Sequence, residues 1–84
     1  MNESPISAEK LRWQCRRGML ELDVLLERYL SNYYSDDAAA DQQRFRALLS
    51  AQDPDLQRWL LSGIDHPDPE FAPLVARIRG LYSR

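Results

Sequence analysis

Glycine is scarce in this chain, with three in 84 residues. Neither GxxxxGK nor GxGxxG occurs, so a glycine-rich phosphate cradle is excluded. Histidine and cysteine each occur once. His66 lies in a proline-bounded loop with no cysteine partner at ligand spacing. A zinc site needs three or four ligands, so a solvated loop histidine is expected. Cys15 alone cannot form an internal disulfide, which points to a reducing compartment. No apolar run approaches the roughly 20 residues of a membrane helix, and "MNESPISAEK" lacks the apolar core of a secretory signal. A basic excess is missing as well. The formal charge of −2 gives no field for neutralising phosphates. The expectation is a soluble cytoplasmic protein with no catalytic constellation, no bound metal, no nucleic-acid partner and no membrane insertion.

What is present is helical spacing, segment after segment. At 84 residues one domain is expected, with an ordered core over about 7–82. Hydrophobic residues make up 44% and charged residues 29%, values that allow a packed core. Ser7 is placed to cap a first helix over Ala8 to Arg16, with Leu11 and Cys15 on one stripe. Gly18 is placed to end it. Leu22, Leu25, Leu26, Tyr29, Leu30 and Tyr33 then form the apolar stripe of a second helix over Met19 to Tyr34. Asp36 or Asp37 is the expected cap of a third, buried through Phe45, Leu48 and Leu49. Asp53 is the expected cap of a fourth, with Pro54 at its first position, Leu56, Trp59 and Leu60 on one face, and Gly63 after it. Asp68-Pro69-Glu70 repeats the Asp-Pro start and launches a fifth, with Phe71, Leu74, Val75, Ile78 and Leu81 inward. The fold class expected is all-α, a small five-helix bundle.

Most aromatics, Tyr82 among them, fall on these apolar stripes, where core packing is the default. Trp13 and Tyr34 are less clearly inward, and each is a candidate rim anchor for a partner. Cys15 reads as a buried structural thiol, and Arg44, Arg46, Arg77 and Arg79 as solvated faces.

The stretch "CRRGMLELD", residues 15 to 23, resists so plain a reading. A glycine can end a helix without two arginines beside it. Glu21 in the first turn of the next helix complements the macrodipole. Equally, the joint can expose guanidinium groups and a carboxylate around a residue with no side chain to block a partner's backbone. Local physics leaves the two readings even.

Arg17-Gly18-Met19-Leu20-Glu21 gives Arg-Gly-x-x-Glu within "RRGMLELD", and a second block, "DPDLQRWL", spans Asp53 to Leu60. Together, in this order and at this length, they resemble the SdhE/CptB family, also called succinate dehydrogenase assembly factor 2 in mitochondria. The likeness runs from about Leu11 to Arg79. It departs between Leu56 and Trp59, where Gln57 and Arg58 stand in place of an aromatic, so the fourth helix is left out of the expected site.

The resemblance implies a five-helix bundle and a chaperone-like assembly factor. Such a factor binds the flavoprotein subunit of succinate dehydrogenase, and in bacteria that of fumarate reductase. It promotes the covalent joining of a client histidine to the 8α-methyl carbon of FAD. FAD is then attached to the client and is not held tightly by the factor. Arg17, Gly18 and Glu21 are the partner-binding residues carried over, with Arg16 and Asp23 as flanking contacts. The competing function is that of an antitoxin-type binding module of the CptB kind, occluding a membrane-associated toxin.

Overall fold

In the computed structural model, residues 8–81 are described, and the expected Ser7 cap and the core position of Tyr82 lie outside them. These described residues form five α-helices and one 3-10 turn, in order: α1 Ala8–Gln14, α2 Leu20–Asn32, the turn Tyr34–Asp36, α3 Ala39–Leu48, α4 Asp53–Leu60 and α5 Ala72–Gly80. Among the described residues there is no strand. The all-α bundle is as its periodicity requires.

The long central helix organises the rest. α2 packs against α1, α4 and α5, while α5 also packs against α3 and α4. Leu22, Leu25, Leu26, Tyr29 and Leu30 are the buried face of α2. They meet Leu11 and Cys15, Phe45, Leu48 and Leu49, Leu56 and Leu60, and Leu74, Val75 and Ile78 in one apolar cluster. Each fully buried leucine contributes roughly 1.5–3 kcal/mol of transfer free energy, which is how a short chain can support five helices.

The helix ends depart from the expected caps. The first helix stops at Gln14, because the Cys15 N–H is shared between Leu11 O and Arg12 O and the Arg16 N–H reaches Trp13 O, tightening the last turn. Gly18 therefore does not end α1. It lies beyond the end, at φ +81°, and swings the chain into α2. Neither Asp36 nor Asp37 caps α3. The cap position is Ala38, with no side-chain hydrogen bond, and Asp36 belongs to the 3-10 turn. Asp53 sits inside the first turn of α4, whose cap is Gln52. The Asp68-Pro69 signal produces a turn ahead of α5. The Glu70 N–H bonds Asp68 Oδ1 at 2.9 Å and the Phe71 N–H bonds Asp68 O at 3.0 Å, and the helix itself starts at Ala72.

Several side chains also differ from expectation. Tyr33 follows α2 and is 41% exposed. Tyr34 is half-buried, packs on Tyr29 and Phe45, and accepts a hydrogen bond from Arg46 at 2.6 Å, so it is held within the fold and is no free anchor. His66 is half-buried between the rings of Trp59 and Phe71, at 4.2 and 4.8 Å, and its Nδ1 accepts the Asp68 N–H at 2.9 Å. It packs the α4–α5 connection and is no solvated loop residue. The arginines of α3 and α5 are likewise engaged. Arg44 pairs with Asp41, Arg77 with Asp37, and Arg79 Nε donates to Trp59 O.

One polar network crosses the core edge. The Tyr29 hydroxyl donates to Asp37 Oδ2, Arg77 Nη2 donates to Asp37 Oδ1 at 3.0 Å, and the Arg77 guanidinium lies 5.7 Å from the Tyr29 ring centroid. Burial pushes the Tyr29 phenol up, and its bond to Asp37 adds to this. Burial alone raises the Asp37 carboxyl, but the bonds from Tyr29 and Arg77 outweigh it and hold its pKa below the ordinary value.

Candidate functional site

The joint between α1 and α2 is shaped by two interactions of Arg17. Its backbone N–H donates to Asp23 Oδ1 at 2.7 Å. Asp23 thus reaches back from the first turns of α2 and pins the approach to the helix, a task that Met19, the cap residue, does not perform with its side chain. The Arg17 guanidinium turns inward. Nη1 donates to Ala51 O at 3.3 Å and to Asp53 Oδ1 at 3.2 Å, and Nη2 donates to Leu49 O. Leu49 caps the C-terminus of α3 and Asp53 opens α4. One guanidinium therefore satisfies carbonyls at the negative end of one helix and a carboxylate at the start of the next. The side chain is 15% exposed, and its Nε is buried without a hydrogen-bond partner.

The five predicted partner-contact residues are divided by this geometry. Arg17 and Asp23 are engaged in holding the joint. Arg16, Gly18 and Glu21 are exposed. An added Cβ at Gly18 would meet no atom within 4 Å, so the glycine is required there by its positive φ and not by crowding within this chain. The space outside it is open to a partner's backbone.

Cys15 lies beneath the joint and is 1% exposed. Burial pushes its thiol up to about 12, with the Glu27 charge adding to the rise against the opposing Arg17 and Arg12. It is a protonated core residue at neutral pH, in keeping with the structural thiol expected. Among the described residues no group of three metal-ligating side chains is found, and no helix is long and apolar enough to cross a membrane.

Two apolar side chains near the joint are strongly exposed, and sequence reasoning missed one of them. Leu20 stands 80% exposed between Gly18 and Glu21, and Trp13 is 79% exposed on α1. Trp13 had been singled out as a candidate anchor. Leu20 had not, although its place off the Leu22, Leu25, Leu26 stripe was a usable signal.

Fold and joint together define a small all-α protein whose Arg-Gly-x-x-Glu turn is internally braced and outwardly open. The family model described as "Flavinator of succinate dehydrogenase" matches residues 9–82. The chain belongs to that family, the FAD assembly factors of the SdhE type. It is 45% identical over 71 residues to the FAD assembly factor SdhE of Shewanella oneidensis, covering 84% of this chain and 87% of the relative. It is 41% identical over 83 residues to that of Coxiella burnetii, covering 99% and 100%. It is 44% identical over 73 residues to that of Methylococcus capsulatus, covering 86% and 87%. No solved structure matches at a significant level.

Proposed function

We propose that this protein binds the flavoprotein subunit of succinate dehydrogenase before the complex assembles and promotes covalent attachment of FAD to it, docking through Arg16, Gly18 and Glu21. Family membership supports the assembly role. The observation that supports the docking surface is Gly18, at φ +81° with no neighbour within 4 Å of its Cβ position, between two exposed charged residues.

On this proposal the client supplies both the nucleophilic histidine and the FAD site, and the factor raises the fraction of client held in the reactive geometry. Gly18 allows close backbone approach. Arg16 pairs with a client carboxylate, and Glu21 accepts hydrogen bonds that fix the register. Arg17 and Asp23 act one step back, keeping the turn in shape. The flavoprotein of fumarate reductase is a second client by the same logic.

Covalent-flavin fluorescence of the client subunit on a denaturing gel, from a strain lacking this protein, tests the proposal. The band is expected to be lost, restored by the wild-type chain, and not restored by Glu21→Ala. A band that persists in the deletion strain rejects the function, and rescue by Glu21→Ala rejects the surface.

A further inference from the structure

Among the described residues the exposed large apolar side chains are Trp13, Leu20, Tyr33 and Ile64, and the two most exposed, Trp13 at 79% and Leu20 at 80%, stand on either side of Gly18 in the sequence. We propose that Trp13 and Leu20 are apolar anchors that extend the client interface from the joint onto α1; this rests on the docking proposal above.

Arg16 is the link between the two. It belongs to the exposed face of the joint, and it also lines a shallow groove of about 320 Å³ with Glu9, Arg12 and Trp13. The Trp13 and Arg16 side chains are thus neighbours on one surface. Arg12 is occupied by Glu27 at 2.6 Å, whereas Arg16 makes no ion pair among the described residues. The surface therefore offers an exposed indole, an exposed guanidinium, an open glycine and an exposed leucine in sequence order. Aromatic and arginine side chains dominate binding energy when a partner desolvates them. Its complement is a folded protein surface with an apolar pocket beside a carboxylate. The flavoprotein subunit is the occupant we assign, because the patch is continuous with its proposed docking site.

Calorimetric titration of the unflavinylated flavoprotein subunit with wild type, Trp13→Ala, Leu20→Ser and Glu21→Ala tests this, with thermal melts of each. Both anchor variants are expected to melt as wild type does and to bind about 30-fold more weakly, the loss typical of a hot-spot residue. If Leu20→Ser melts early, Leu20→Gln takes its place. Wild-type affinity in both anchor variants, with loss in Glu21→Ala, overturns the anchors and leaves the docking surface standing. No binding by wild type removes both. Wild-type dimerisation in sedimentation that Trp13→Ala abolishes overturns the assignment in favour of a second copy of this chain.

Discussion

Arg17 Nη1 lies 3.2 Å from Asp53 Oδ1, so the two sequence blocks that carry the family resemblance, Arg17 to Glu21 and Asp53 to Leu60, meet in space. Arg17 is a brace across the α3–α4 connection, Met19 packs against the core, and Gly18, Leu20 and Glu21 face out. Removing the guanidinium leaves the carbonyls of Leu49 and Ala51 without their donor. Arg17→Ala is expected to cost about 1.5–3 kcal/mol, the range for hydrogen bonds to charged groups. Asp53 is 42% exposed, so Asp53→Ala should cost less, about 0–1 kcal/mol. Urea denaturation of both variants checks the order.

Gly18 separates backbone conformation from surface access. Asparagine tolerates a positive φ better than other side chains do, and Gly18 has open space around it. Gly18→Asn should therefore fold with only a small loss of stability while placing a side chain where the partner approaches. Melts near wild type with lost client co-purification are the expected pair of results.

Acid should weaken the fold through Asp37. Its carboxyl is held below the ordinary value by Tyr29 and Arg77 against the effect of burial. The unfolded chain takes up that proton first, at about pH 4. The contribution is thus complete above that pH and is lost as pH falls through the lower folded value. Asp37→Asn should be less stable at pH 7 and show a shallower acid decline in denaturation midpoints.

Alkali acts in the opposite sense through Cys15. With its thiol pushed up to about 12 by burial, the folded state keeps a proton that the unfolded chain releases from roughly pH 8.5. Stability should fall progressively above that pH toward 12, and Cys15→Ala should flatten the decline. At neutral pH, thiol reagents should label the native protein far more slowly than the unfolded chain.

Helical spacing made the bundle legible. The α2 stripe from Leu22 to Leu30 and the Phe45, Leu48, Leu49 group are buried as their periodicity requires. Cap positions were less legible, because an aspartate near a helix start has other bidders for its oxygens. Asp37 is claimed by Tyr29 and Arg77, and Asp23 by the Arg17 N–H. The site was legible as a stretch and not as a geometry. Nothing in "RRGMLE" says that one arginine turns inward to carbonyls more than 30 residues away in sequence while its neighbour stays in solvent. That choice is made by the loop after α3, whose Leu49 and Ala51 carbonyls take their donor from Arg17.

Flavinylation of the purified client subunit, measured against temperature with Arg17→Ala and Glu21→Ala, tests most directly the division of the joint into brace and docking face. Glu21→Ala should melt as wild type does and support little covalent flavin at any temperature. Arg17→Ala should melt early, yet recover most of the wild-type yield when assayed well below its melting point. A stable Arg17→Ala that never supports flavinylation, or a Glu21→Ala of full activity, would contradict the account.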